Sequence, residues 1–95
     1  MSTFDHGAAA DGVRACEQAL QHLWDAMAGF DTAGRAATEE WVGPHRRTYD
    51  DAVARVRGAV DDAHWMIEHV RAAIVVADAE ARAEAARSRP LGGAF

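Results

Sequence analysis

Apolar residues recur at spacings of three and four along the first part of the chain. This spacing returns a side chain to the same side of an α-helix at each turn, so it is typical of an amphipathic helix. Asp5 and Asp11 are rival N-caps for this helix, with Phe4 as a hydrophobic staple beside Asp5. Trp24 lies beside the stripe and widens it. The pattern predicts a helix over about residues 8–40, with a stripe that consists of Val13, Cys16, Leu20, Leu23, Met27, Phe30, Gly34, Ala37 and Trp41.

A second stripe with the same spacing follows. Past residue 77 it contains only alanine, and Pro90 ends the helix because proline lacks the N–H that a helix interior needs. The pattern predicts a helix over about residues 44–88, with a stripe that consists of Tyr49, Val53, Val56, Val60, Ala63, Ile67, Val70, Ile74, Ala77 and Ala81. Residues 1–7 and 89–95 are predicted to be flexible tails.

The two stripes are separated by a short segment with strong turn signals. The first stripe ends on Trp41, and Gly43 follows where a left-handed glycine can cap the end of a helix. Pro44 suits the first position of the next helix, where its missing N–H costs nothing. The chain is therefore predicted to turn at residues 41–43 and to fold back as a hairpin.

Two long helices side by side leave much of each helix exposed. Helix two also carries Trp65, Met66 and Val76 out of phase with its stripe. A single exposed tryptophan is ordinary, but tryptophan is enriched in protein interfaces, so we interpret this flank as an interface. The predicted fold is all-α, an antiparallel two-helix hairpin that dimerises into a four-helix bundle. The residues expected in the helix seam or the partner interface are Leu20, Leu23, Trp24, Met27, Phe30, Val56, Val60, Trp65, Ile67, Val70 and Ile74.

The chain resembles the WXG family of small helical-hairpin proteins of type VII (ESX) secretion. The resemblance is carried by the Trp41-Val42-Gly43 motif at the turn, by Tyr49 eight positions after the tryptophan, and by the two long helices over residues 8–88. It implies a hairpin that pairs with another helical-hairpin protein or with the N-terminal helical region of a larger effector or toxin. It also implies that Trp41 and Gly43 form part of the surface that the secretion ATPase recognises.

Two features depart from the family pattern. Many members, or their partners, carry a Tyr-x-x-x-Asp/Glu signal after the second helix, whereas the only tyrosine of this chain is Tyr49. Pro44 and the Arg46-Arg47 pair are also atypical after the motif. We therefore expect either that a partner supplies the export signal or that the chain stays in the cytoplasm.

Composition and charge exclude several classes of partner. The net charge is −5, and a nucleic-acid surface needs a basic face, so nucleic acid is not expected as a partner. The longest apolar run, residues 72–77, is too short to insert into a membrane. No signal peptide is recognisable at the start of the chain. We expect a cytoplasmic protein, or one that is secreted without a signal peptide as part of a complex.

No arrangement of residues indicates an enzyme or a cofactor. Asp61, His64 and Glu68 share one helix side, but no second histidine or cysteine joins them, so a solvated face is favoured over a metal site. Both serines lie near the ends of the chain, and the glycines form no phosphate-binding loop. Cys16 lies on the first stripe, where a small buried thiol is favoured over a reactive one.

The leading hypothesis is a WXG-like substrate or partner protein of type VII secretion, as a heterodimer or a homodimer. The first alternative is a cytosolic adaptor or secretion chaperone that binds the helical leader of a larger toxin and is not exported. The second is a structural coiled-coil interaction protein with no link to secretion. An antitoxin or immunity protein is a further alternative, which would require a toxin gene beside this one.

Overall fold

The fold is a long antiparallel pair of α-helices. The computed structural model describes residues 3–88, in which α1 spans His6–Thr38 and α2 spans Pro44–Ser88, with no strand between them. The pairs Asp31–Arg57 and Glu17–Arg71 join the helices in opposite chain order, so the helices run antiparallel. The predicted helical hairpin is therefore confirmed. The first helix begins at His6, so residues 6 and 7 of the predicted N-terminal tail belong to α1. The described residues leave out 1–2 and the predicted C-terminal tail, 89–95.

The start of α1 settles the choice between the two candidate N-caps. The Asp5 carboxylate accepts a hydrogen bond from the Ala8 backbone N–H at 2.9 Å, and the Asp5 carbonyl accepts from Ala9 N–H at 3.1 Å. Asp11 lies inside the helix and pairs with Arg14. Asp5 is therefore the N-cap, because it satisfies N–H groups that have no partner within the helix.

The turn differs from the sequence-based prediction in two respects. The first helix ends at Thr38 rather than near residue 40, so the turn is longer and begins at Glu39. Gly43 has the predicted positive φ, +69°. However, Gly43 does not cap α1. Its carbonyl accepts a hydrogen bond from Arg47 N–H at 3.1 Å, so Gly43 stands at the start of α2. Pro44 is the first residue of α2.

The seam between the helices also differs from the predicted stripes beyond their centres. Leu20 is 8% exposed and Thr38 is 1% exposed, whereas Ala37 and Phe30 are exposed. A heptad repeat averages 3.5 residues per turn, but a straight helix has 3.6 and drifts by about 20° per heptad. Eighteen residues beyond Leu20 the inward position is therefore Thr38, not Ala37.

The same drift applies in α2. Beyond Ile67 the stripe positions Ile74 and Ala81 remain half-buried, but Arg71 and Asp78 are less exposed than Val70 and Ala77, which the stripe had predicted. Val70 is 52% exposed and Val56 is 39% exposed. The stripe was therefore wrong at positions 70 and 77, and it overestimated the burial of Val56.

The hairpin has very little core. Among the described residues Leu20 is the one buried apolar side chain. The molecule measures 80 × 17 × 17 Å and its radius of gyration is 22.4 Å, against about 12 Å for a compact domain of this length. Its accessible surface is 7457 Å², against about 5300 Å² for a compact protein of the same mass. Within the described residues, neither helix carries an apolar stretch long enough to cross a lipid bilayer.

Candidate protein-interaction surfaces

The tip of the hairpin brings two of the three predicted motif residues together. Trp41 and Tyr49 meet edge to face, with ring centroids 6.0 Å apart. The Tyr49 ring crosses α1 at Gly34, where a Cβ atom would overlap the tyrosine hydroxyl. Because Gly34 has no side chain, it leaves the space that the Tyr49 ring occupies. Gly43 has a separate role at the start of α2.

A hydrogen-bond network that the sequence pattern did not predict holds this tip. The carbonyl of Thr38 accepts from Trp41 N–H at 2.9 Å and from Arg46 Nη1 at 3.0 Å. The Thr38 hydroxyl donates to the Gly34 carbonyl at 2.7 Å. Arg46 also pairs with Asp50 at 3.1 Å. A cation placed shortly after a helix end is a recognisable signal, because it neutralises the partial negative charge of the last carbonyls.

A shallow apolar depression, which we call the tip bowl, lies beside this network. Its volume is about 760 Å³, and it is lined by Glu40, Trp41, Val42, His45, Thr48, Tyr49 and Ala52. Trp41 remains 47% exposed and Val42 80% exposed. The tip therefore presents apolar side chains to solvent, while hydrogen bonds to the Thr38 carbonyl hold part of its backbone.

One long side of the hairpin carries the ion pairs between the helices, and we call it the ion-pair face. Arg57 pairs with Asp31, and Arg71 lies 3.7 Å from Glu17. Trp24 lies between these pairs and contacts His64 edge to face at 5.7 Å. The residues that define the face follow heptad spacing and are Glu17, Trp24 and Asp31 on α1 and Arg57, His64, Arg71 and Asp78 on α2.

Asp78 joins the N-terminal end of α1 to α2. It accepts a hydrogen bond from His6 Nδ1 at 2.5 Å and one from Arg82 Nε at 2.9 Å. These hydrogen bonds, that from His6 first, lower the pKa of the Asp78 carboxyl below its ordinary value. The pair is only half-buried and solvent still screens it, so it orients the helix ends more than it stabilises them.

The opposite long side is apolar, and we call it the apolar face. A groove of about 300 Å³ on this side is lined by Ala15, Cys16, Ala19, Met66, Ile67 and Val70. Positions three, four or seven apart extend it along both helices without a charged residue. The face consists of Ala8, Gly12, Ala15, Ala19, Ala26, Phe30, Ala33 and Ala37 on α1 and of Ala52, Val56, Ala59, Ala63, Met66, Val70, Ala73 and Ala77 on α2.

The structure distributes the predicted seam and interface residues among these surfaces. Those in the seam, where they are buried or half-buried, are Leu20, Leu23, Met27, Val60, Ile67 and Ile74. Phe30, Val56 and Val70 are exposed on the apolar face, and Trp24 is 64% exposed on the ion-pair face. Trp65 is also 64% exposed and stacks on His69 at 5.0 Å, outside both faces.

Other candidate chemistry is sparse in the described part of the chain. No group of three His, Cys, Asp or Glu side chains is arranged there to hold a metal ion. Cys16 is a free thiol, half-buried in the seam beside the groove.

Comparison with known proteins identified no relative of this chain. The chain matches no protein-family model, no curated protein and no solved structure.

Proposed function

We propose that this chain is a WXG-like partner protein of type VII secretion. It pairs through its helices with a second helical-hairpin protein, or with the helical N-terminal region of a larger effector, and the two travel as a complex. The observation that carries the proposal is a long hairpin with one buried apolar side chain among residues 3–88 and an exposed Trp-x-Gly tip.

The need for a partner follows from burial. Helices of 33 and 45 residues that share a single seam leave Phe30, Met66 and Val70 between 40% and 54% exposed. Burying such surface contributes about 25 cal/mol per Å². A second pair of helices laid on the first would supply the missing core as a four-helix bundle.

The tip supports the secretion part of the proposal. Trp41 is held by its backbone hydrogen bond to Thr38 and by the Tyr49 ring, yet about half of its surface stays exposed. A rigid, half-exposed tryptophan beside an apolar depression is the kind of side chain that anchors protein contacts. In the proposed function this tip is the surface that the secretion ATPase contacts in the complex.

A cytosolic adaptor that is not itself exported is the second candidate function. Such an adaptor pairs through the same helices with the helical N-terminal region of a larger toxin. Tyr49, the only tyrosine, lies near the start of α2, so the chain has no Tyr-x-x-x-Asp/Glu signal beyond that helix. In this candidate the chain remains in the cytoplasm after the partner leaves.

An export assay tests the proposal. The chain is expressed in a bacterium with a type VII system, together with its genomic neighbours, and culture supernatant and cells are probed for it. Export of the complex that Trp41→Ala abolishes and Trp24→Ala leaves intact is the expected result, since both tryptophans are exposed but only one lies at the tip. Retention of the chain while a partner is exported would favour the adaptor.

The opposite results reject the secretion role. If export of the complex is the same with Trp41→Ala, and only the melting temperature falls, then Trp41 is structural and the chain is a coiled-coil interaction protein. Light scattering of the purified chain with its genomic neighbours provides the pairing readout. A well-folded chain that stays monomeric with all of them would contradict the partner function itself.

A further inference from the structure

A second depression, which we call the Trp24 depression, opens on the ion-pair face away from the tip. Its volume is about 350 Å³. Three half-buried apolar side chains of the seam, Leu23, Met27 and Val60, line it. Small-molecule sites in proteins measure about 300–1000 Å³ and are mostly apolar with a few polar groups. The Trp24 depression lies at the lower end of that range, which suits a ligand with a single ring.

The Trp24 depression is bounded at both ends along the rod. On the side toward the tip it is lined by Arg57, which is held by its ion pair with Asp31. On the other side it is lined by Trp24 and His64, which meet edge to face at 5.7 Å. Arg57 and His64 are seven positions apart on α2, about 10 Å along the helix axis. A space of that length suits a compact molecule and is too short for a helix or an extended peptide laid along the rod.

The charges around the Trp24 depression leave one carboxylate uncompensated. Asp61 lines the depression and makes no ion pair or hydrogen bond within residues 3–88. The guanidinium of Arg57 is already paired with Asp31, so its positive charge is balanced. The depression therefore favours a ligand with a positive charge over one with a negative charge.

The indole of Trp24 favours the same charge. It is 64% exposed, and its contact with His64 holds the ring beside the depression instead of in the seam. A cation over the face of a tryptophan ring is attracted by the ring's π electrons. The rim of the depression thus carries two groups that attract a cation, Asp61 and Trp24, above an apolar floor.

We propose that the Trp24 depression binds a small organic cation that combines one apolar ring with an amidinium, guanidinium or ammonium group. The ring lies on Leu23, Met27 and Val60, and the positive group contacts Asp61 and the face of Trp24. The site is formed within one chain, so it does not depend on the proposed pairing with another protein.

Three one-ring probes of matched shape and different charge test the site. Benzamidine is positive, benzamide neutral and benzoate negative. Two-dimensional ¹H–¹⁵N NMR spectra at low salt follow the indole N–H signals of the three tryptophans, which single substitutions assign. We expect benzamidine to shift the Trp24 signal with a dissociation constant of about 1 mM, since a ligand this small binds weakly. Benzamide should bind at least about threefold more weakly, and benzoate should not saturate.

Trp65 is the control within the same spectra. It is also 64% exposed and also contacts a histidine, but it does not line the depression. We expect its signal to change far less than that of Trp24, because an exposed indole without an apolar floor gives the ring of the probe nowhere to bury.

Matched variants test the role of the carboxylate. Asp61→Asn should raise the dissociation constant of benzamidine at least about threefold and leave that of benzamide unchanged. Asp62→Asn removes the same charge at the next position of α2, which does not line the depression, and should change both constants less than about 1.5-fold. Circular dichroism confirms that both variants are folded.

Each contrary result overturns the inference. Equal affinity for benzamidine and benzamide would show an apolar depression without selection for a cation. Tighter binding of benzoate would show that Arg57 governs the site. Equal shifts of the Trp24 and Trp65 signals, or no saturation by about 20 mM benzamidine, would show that the depression binds no such ligand. None of these results bears on the proposed secretion role, which the export assay tests separately.

Discussion

At the scale of single residues, two glycines of α1 have opposite surroundings. A Cβ atom at Gly34 would overlap the Tyr49 hydroxyl, whereas a Cβ atom at Gly29 would meet nothing within 4 Å. Both positions lie inside a helix, where alanine is intrinsically favoured over glycine by about 1 kcal/mol. Substitutions at the two sites therefore separate the effect of helix propensity on stability from the effect of side-chain packing.

We predict that Gly29→Ala raises the free energy of unfolding by up to about 1 kcal/mol. Gly34→Ala should instead lower it, so that the two variants differ by about 1–3 kcal/mol, because Tyr49 must move. Urea unfolding followed by circular dichroism measures both. In a Tyr49→Phe background the loss at Gly34→Ala should shrink, and equal effects of the two alanines would contradict the close approach of Tyr49.

The N-cap of α1 gives a second prediction at this scale. Replacing Asp5 by alanine removes the acceptor for Ala8 N–H and should lower the free energy of unfolding by about 1 kcal/mol. Asp11→Ala removes only an exposed pair with Arg14 and should change it by less than about 0.5 kcal/mol. Chemical denaturation compares the two, and a larger loss at Asp11 would argue for a helix start near residue 11.

At the scale of the elements, the helix ends opposite the tip are joined through Asp78. Its pKa is lowered by the hydrogen bonds from His6 and Arg82. The folded chain therefore keeps this carboxylate ionised to a lower pH than the unfolded chain does. The stabilisation is fully present above the ordinary aspartate pKa and is lost as the pH falls through the lowered value.

We predict that Asp78→Asn reduces the loss of stability between pH 5 and pH 3, because the variant has no carboxylate to protonate at this position. Asp62→Asn is the matched control, since Asp62 has no ion pair among the described residues, and its pH profile should follow that of the wild type. Thermal melts across this pH range make the comparison. Parallel profiles for Asp78→Asn and wild type would show that the His6–Asp78 contact does not form in solution.

At the scale of the whole molecule, the hairpin is a rod with ion pairs between the helices on one long side and apolar residues on the other. A partner laid on the apolar face would thicken the rod and leave its length unchanged. Contact at the tip alone would extend it instead. The two arrangements differ in their dimensions, which scattering measures directly.

Small-angle X-ray scattering should give the isolated chain a radius of gyration near 22.4 Å. For a complex with a helical-hairpin partner laid along its helices we expect a maximum dimension that stays near 80 Å while the cross-section increases. A maximum dimension close to twice that length would indicate end-to-end contact. A radius near 12 Å for the chain alone would show that it is not an extended hairpin.

Sequence periodicity alone determined that the chain forms two helices joined by a short turn, because spacing of apolar residues and the Gly-Pro signal are local properties. It also placed Pro44 at the first position of α2 and required positive φ at Gly43. It did not show that Gly43 opens α2 rather than closing α1, since that depends on where the last turn of α1 stops.

The tertiary structure alone decided which members of each stripe point inward. A 3.5-residue repeat and a 3.6-residue helix drift apart over several turns, so Thr38 is buried where the stripe predicted Ala37, and Arg71 is less exposed than Val70. The packing of one helix on the other also decided that charges gather on one side and apolar groups on the opposite side. The pattern of apolar residues along one helix does not show on which side of the hairpin the other helix will place its charged or apolar residues.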